Sequence, residues 1–175
     1  MRETMSDSTP AREGGAEIRT LYDPVTQPEL FDGILSKRIV AFLVDAVLIV
    51  ALMIPAALMV LILGVVTLGL AWFLFPVLFA VVALGYVALT LGGPASATIG
   101  MRFTGIEMRT GGGQKMFPLL AVMHALIFWF SVGLLTPLIL LVGLFTERKQ
   151  MLHDLILNVM ALNVDPLHRS EGLPR

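Results

Sequence analysis

The sequence contains no cysteine and little charge. The missing cysteine excludes disulfides, thiol catalysis and cysteine-ligated zinc sites. Only 14% of the residues are charged and 57% are hydrophobic, whereas an average soluble domain has about a quarter charged residues. The formal net charge of −1 provides no broad basic surface for nucleic acid. We therefore expect no nucleic-acid partner.

Catalytic motifs are missing as well. The sequence has three histidines, but no His-Glu-x-x-His zinc motif and no Gly-x-x-x-x-Gly-Lys phosphate loop. No serine stands with a base in a recognisable catalytic motif. We therefore expect that the protein is not an enzyme and that it has no cofactor and no metal site.

Long apolar segments are what the sequence does contain. Residues 46–101 carry no charged side chain, which is enough to cross a bilayer twice at about 20 residues per crossing. Residues 116–146 form a further apolar block, with His124 as its only ionisable group. Apolar residues gathered in blocks are typical of membrane spans. The sequence predicts an all-α integral membrane protein with three apolar helical blocks.

Two of these blocks have the length of single spans. The first predicted span covers about residues 36–63 and the second about residues 70–91. The third block, residues 116–146, is long for one span. Gly133 and Pro137 allow it to be broken, so that the chain either crosses once or crosses and returns.

Basic residues set the expected orientation. Lys37 and Arg38 stand at the start of the first span, Arg102 and Lys115 follow the second, and the turn between the spans has neither Lys nor Arg. Because cytoplasmic loops carry an excess of these residues, we predict a multi-pass protein of the cell inner membrane with a cytoplasmic N-terminus. The same rule favours a returning third block, which keeps the basic residues after position 146 inside.

The regions outside the spans are polar. Residues 1–33 mix Ser, Thr, Pro, Gly and charge and are predicted to form a disordered cytoplasmic tail. Residues 34–162 form the membrane domain, and residues 163–175 a polar C-terminal tail. Residues 102–109 alternate loosely and predict a strand. We expect this strand to pair with residues 158–164 in a small cytoplasmic strand and amphipathic cap.

Three short blocks follow one another around the predicted spans: Lys37-Arg38 through Asp45, Thr98-Ile99-Gly100-Met101-Arg102 through Gly105, and Phe145 through Leu152-His153-Asp154. Together they resemble the RDD family of small membrane proteins, named for one arginine and two aspartates. The resemblance covers about residues 34–162. Met101 stands where the family usually has lysine, and Leu120 and His124 stand where many members have two arginines. The resemblance implies a role in transport, and some members resemble sodium/proton antiporters.

Asp45 is the first candidate site residue, because ionisable side chains inside a span are rare and usually functional. Arg38 lies on the same helix face seven residues earlier, but about 10 Å away along the axis. Asp45 therefore needs a partner from another segment, and His124 is expected at a similar depth. Such a pair either carries a proton or cation or ties two helices together. Both alternatives remain open.

His153 and Asp154 are the second candidate pair. The functional alternatives are gating, a cytoplasmic ion site or a proton acceptor. The structural alternative is that Asp154 pairs with Arg38 or Arg102 and anchors its segment beneath the helices. Arg38 also has the alternative of contacting lipid headgroups.

Two functional hypotheses follow. The first is a transporter or exchange subunit for a cation, a proton or a small ligand, with Asp45 as the ion or proton site. It implies a homo-oligomer, because so few helices can hardly enclose a pathway. The second is a non-transporting scaffold or accessory subunit of another membrane complex. The expected partners are the lipid bilayer and either further copies of the chain or another membrane protein.

Overall fold

The computed structural model describes residues 22–135 and 152–172, and it is mostly helical. Helix α1 spans Ile34–Val66 and helix α2 spans Phe75–Thr90. By length and composition, the stretches Pro28–Val66 and Leu70–Thr90 are long and apolar enough to cross a membrane. The prediction of two long apolar helices is confirmed.

The second helix begins later than predicted. A short 3-10 helix occupies Leu70–Leu74, and α2 starts only at Phe75. Pro76 lies in the first turn of α2, where its fixed φ angle suits the helix and its missing N–H is not needed. This proline explains where the α-helix begins.

A third apolar helix, α4, spans Pro118–Leu135, packs against α2 and contacts α1 through an aromatic pair. Phe79 of α2 stacks on Trp129 of α4 with ring centroids 5.5 Å apart. Phe42 of α1 meets Phe128 of α4 at 5.8 Å. The predicted third block extends beyond α4, and its residues 136–146 lie outside the described residues.

The connection between α2 and α4 differs from the predicted strand over 102–109. Residues Ile99–Thr104 form a short helix, α3, and the strand β1 covers Ile106–Thr110. The Thr98 hydroxyl accepts a hydrogen bond from the Met101 N–H and so caps α3. Gly105, at φ 68°, ends it in the left-handed conformation that glycine favours. The alternation in this segment therefore marks the strand only after Gly105.

The predicted strand pairing is confirmed. Strand β2, Val159–Asn163, pairs antiparallel with β1, with Ile106 opposite Asn163 and Thr110 opposite Val159. A short helix α5, Leu152–Leu157, precedes β2, and helix α6, Val164–Glu171, follows it. The side chains of Ile106 and Met108 are fully buried against the first turns of α1.

The polar tails are shorter than predicted. Residues 22–33 include a 3-10 helix at Pro28–Leu30, and α6 lies within the predicted C-terminal tail. Apolar residues of both tails and of β2 meet in one buried cluster: Tyr22, Leu30, Phe31, Met160, Leu162 and Leu167. Burial of these side chains stabilises both ends of the described chain. The contact between the two tails could not be predicted from their mainly polar sequences. Residues 1–21 and 173–175 lie outside the described residues.

Helix α5 lies beside the first turns of α1 and α4. Asp154 of α5 lies 3.7 Å from His124, which is in the first two turns of α4. Asp154 also pairs with Arg38 in the first turns of α1. Residues 152–172 are therefore at the end of the helices where α1 and α4 begin.

Candidate functional site

An ion pair between Arg38 and Asp154 joins the start of α1 to α5. The two guanidinium nitrogens of Arg38 donate to the two carboxylate oxygens of Asp154, Nη1 to Oδ2 and Nη2 to Oδ1. Arg38 is 7% exposed and Asp154 is fully buried. A two-point pair of this kind is the strong form of the interaction. It confirms the expected anchor and excludes the alternative in which Arg38 faces lipid headgroups.

Two histidines stand against the same carboxylate. Nδ1 of His124 lies 3.7 Å from Oδ1 of Asp154, and Nε2 of His153 lies 3.4 Å from that oxygen. The two imidazole rings meet edge to face with centroids 4.7 Å apart, and the Phe128 ring meets His153 in the same geometry at 5.2 Å. We refer to Arg38, His124, His153 and Asp154 as the histidine–aspartate cluster.

Two ring nitrogens of this cluster lack hydrogen-bond partners among the described residues. They are Nδ1 of His124 and Nδ1 of His153, and both are buried. A buried polar atom without a partner costs about 1–3 kcal/mol, so such atoms are uncommon in folded proteins. One ligand atom each from His124, His153 and Asp154 also lies within 4.8 Å of the other two. The arrangement can hold a small cation.

Burial and charge set the protonation states on α5. Burial lowers the pKa of His153 to about 4, although the Asp154 carboxylate opposes this shift. Burial alone would raise the pKa of Asp154, but the charge and hydrogen bonds of Arg38 lower it to about 2. At neutral pH the cluster therefore presents a carboxylate beside an uncharged His153 imidazole.

Asp45 lies in a separate site with three donors. Its Oδ1 accepts from the Tyr86 hydroxyl at 2.6 Å and from the Gly100 N–H at 2.7 Å. Its Oδ2 accepts from the Thr98 hydroxyl at 2.5 Å. These bonds tie α1 to α2 and to the start of α3. We refer to Asp45, Tyr86, Thr98 and Gly100 as the Asp45 site.

Close backbone packing supports this site. A Cβ atom at Gly100 would collide with the carbonyl oxygen of Ala41 on α1. Glycine is therefore the residue that lets α3 approach α1 closely enough for its N–H to reach Asp45. The Tyr86 hydroxyl also accepts from the Ile99 N–H at 3.2 Å. The start of α3 is held by side chains from both long helices.

These positions match one family. The sequence model of the RDD family matches residues 33–158. The chain belongs to the RDD family. The matched region contains Arg38, Asp45 and Asp154, the residues on which the resemblance was based. Neither the curated proteins nor the solved structures include a significant match.

One expectation for the site residues of this RDD protein is wrong, and one of two alternatives is excluded. His124 was expected beside Asp45, but it lies in the histidine–aspartate cluster, while Asp45 receives its hydrogen bonds from Tyr86, Thr98 and Gly100. Matching depth on two helices does not fix which helix faces point together. Arg102 was one of two candidate partners of Asp154, but its side chain is exposed and has no ion pair within the described residues.

Tyr86 and Thr98 are the site residues that the sequence interpretation missed. Tyr86 reads as an aromatic residue near a membrane interface, and Thr98 as part of a family block. A signal was available for both, because a carboxylate within an apolar helix needs donors and these are hydroxyl groups near the end of the next apolar segment. Their spacing along the chain does not reveal the contact.

Proposed function

We propose that this RDD-family protein is an integral membrane protein. The apolar surface supports the proposal: large side chains such as Val47, Ile54 and Phe73 are 69%, 70% and 81% exposed. In the most apolar window of the first segment only 6% is buried, and in that of the second 17%. A helix from the core of a soluble protein would be mostly buried, whereas a lipid-facing helix exposes this surface to hydrocarbon.

The proposed orientation is multi-pass in the cell inner membrane, with the N-terminus in the cytoplasm. Lys37, Arg38 and the β1–β2 sheet lie at one end of the apolar helices, and Arg102 and Lys115 belong to the connection at that end. An excess of Lys and Arg favours the cytoplasmic side. The position of α5 beside the first turns of α1 and α4 supports a third apolar block that returns to this side.

For the function we propose cation or proton exchange at the histidine–aspartate cluster. The observation that carries the proposal is the set of buried, facing ionisable groups, two of whose ring nitrogens lack partners among the described residues. An uncharged imidazole nitrogen beside a carboxylate offers ligands to a cation, and an imidazole that gains or loses a proton changes the charge of the site. Because α1, α2 and α4 are too few to enclose a pathway alone, the active unit is an oligomer.

The second candidate function is a scaffold or accessory subunit of another membrane complex. The Asp45 site favours it, because each oxygen of this carboxylate already accepts at least one short hydrogen bond from the protein. An acid held in this way is suited to tying helices together. The exposed apolar faces of α1 would then cover a partner protein as well as lipid.

Flux measurements distinguish the two candidates. Purified protein is reconstituted into liposomes with a pH-sensitive dye inside, and inward cation gradients are imposed. We expect proton movement that falls by about 100-fold or more in H124Q and in H153Q, the lower end of the usual scale for losing a proton-transfer group. H168Q is the matched control, since His168 lies on α6 outside the cluster, and it should retain the flux.

The opposite outcome also has a clear form. If the wild-type protein moves no ions in any gradient, and instead co-purifies from its own membranes with one partner in a fixed ratio, the scaffold function replaces exchange. If flux in H124Q and H153Q equals that of H168Q, the cluster is not its site.

A further inference from the structure

The geometry around Asp154 has the dimensions of a metal site. Two donor atoms bound to one tetrahedral ion at about 2.1 Å lie about 3.4 Å apart. Nε2 of His153 and Nδ1 of His124 lie 3.4 Å and 3.7 Å from Oδ1 of Asp154. These separations are too long for good hydrogen bonds, but they suit ligands that share an ion. We propose that His124, His153 and Asp154 bind a divalent transition-metal ion of the zinc class.

The unpartnered nitrogen of His124 is an independent observation in favour of the site. The His124 side chain is 9% exposed, and its Nδ1 faces the carboxylate of Asp154 without a hydrogen bond. An ion placed between these two atoms would satisfy the nitrogen. Neutral imidazole nitrogen is the common protein ligand for this class of metal.

The donor set selects the kind of ion. Two imidazole nitrogens and one carboxylate oxygen suit zinc, cobalt, nickel or iron, whereas magnesium and calcium prefer oxygen ligands throughout. Three protein ligands leave one tetrahedral position open, as in sites whose ion exchanges with water or substrate. The site therefore differs from the closed, four-ligand type that only stabilises a fold.

Arg38 tunes the affinity of the site. Its guanidinium group shares the Asp154 carboxylate with the ion, and the two positive charges repel each other. This repulsion weakens binding relative to a structural zinc site and eases release of the ion. The inference names the cation class for the exchange proposed above, and in that respect it rests on the proposed function.

Metal binding is measured without a membrane, so that its failure is distinct from the failure of exchange. The full chain is purified in detergent with an affinity tag that contains no histidine and is stripped with a chelator. Cobalt(II) is then titrated in as a visible probe of tetrahedral coordination, followed by competition with zinc(II). We expect one cobalt ion per chain, an intense visible band, and displacement by zinc.

Variants locate the ligands. H124Q and H153Q should each weaken cobalt binding by about 100-fold or more, since even loss of an outer partner costs 10–100-fold. H168Q should bind as the wild type does. Thermal unfolding and size-exclusion profiles establish which variants are folded, and addition of zinc should raise the melting temperature of the wild type but not of H124Q or H153Q.

Several outcomes would overturn the inference. Absence of cobalt and zinc binding by the folded wild type is decisive by itself, even if a variant fails to fold. Equal cobalt affinity in H124Q, H153Q and H168Q would mean that the ion binds to other residues. Proton flux without metal binding would refute the metal site and leave exchange intact. Metal binding without flux would retain the site and refute exchange.

Discussion

Asp45 and Asp154 of this RDD protein are held in opposite ways. Within the described residues, Asp45 is half-buried and accepts hydrogen bonds only from uncharged donors, two hydroxyl groups and one backbone N–H. Asp154 is fully buried and faces the charge of Arg38 together with two imidazole rings. One carboxylate is surrounded by uncharged hydrogen-bond donors, while the other faces a cation.

This difference suggests a structural role for the Asp45 site and an ion-binding role for the histidine–aspartate cluster. The Asp45 site holds α1, α2 and α3 together, and no unpartnered side-chain atom is recorded there among the described residues. The histidine–aspartate cluster also joins elements, but it keeps two ring nitrogens free of hydrogen bonds in the described part of the chain. A site that retains unused donors or acceptors is better suited to bind and release an ion.

The largest loss of stability is expected when the charge partner of Asp154 is removed. R38A would leave a buried carboxylate without its cation, which costs about 3–5 kcal/mol when a buried pair is broken. Chemical unfolding of the purified protein in detergent measures the loss. R102A removes an exposed arginine from the same end of the molecule and should change stability by no more than about 0.5 kcal/mol.

Equal losses in R38A and R102A would contradict this expectation. They would mean that general positive charge at this end of the helices, and not the paired geometry, stabilises the fold. The ion pair with Arg38 would then not distinguish Asp154 from Asp45 in its contribution to stability.

A smaller effect is expected at the Asp45 site. D45N replaces one accepting oxygen by an NH2 group, so that at least one of the donors from Tyr86, Thr98 or Gly100 loses its acceptor. The expected loss of stability is about 1–3 kcal/mol, with faster amide exchange at the start of α3. Because we assign this site to support, flux per folded molecule should be unchanged.

Loss of flux from fully folded D45N would reverse the assignment. Asp45 would then be an ion or proton site, as the sequence interpretation proposed, and its three donors would be part of that mechanism. T104A is a useful control for amide exchange, since the Thr104 hydroxyl bonds only to backbone carbonyls of α3 in the described structure.

Much of the fold could be predicted because it depends on local composition. The apolar runs of α1 and α2 and the strand pair of Ile106–Thr110 with Val159–Asn163 are visible as blocks and alternation. The pairing of Asp154 with Arg38 was one of two alternatives, since both residues were expected at one membrane face. What could not be predicted was rotation about the helix axes, which decides that His124 faces Asp154 and not Asp45.

The ordered tails show a second limit. Tyr22 and Leu167 lie in segments that are polar on average, and their burial depends on contact between opposite ends of the chain. Mean hydropathy over such a segment stays low, so a few apolar residues of this kind are not recognised. Strand β2 contributes Met160 and Leu162 to the surface that the two segments share.

The smallest change in the free energy of unfolding is expected for a substitution in these tails, and it depends on pH only at high pH. Burial and a hydrogen bond to Glu171 raise the pKa of Tyr22 from 10.0 to about 12. Because the unfolded chain releases the phenolic proton first, this contribution to stability is complete below pH 10 and is lost as the pH rises through 12. Y22F lacks the titrating group, so the stability difference between wild type and Y22F should shrink across this interval. Parallel unfolding curves at pH 9 to 12 measure this stability difference. A difference that stays constant over this range would mean that Tyr22 is exposed to water and that residues 22–33 do not pack against α6.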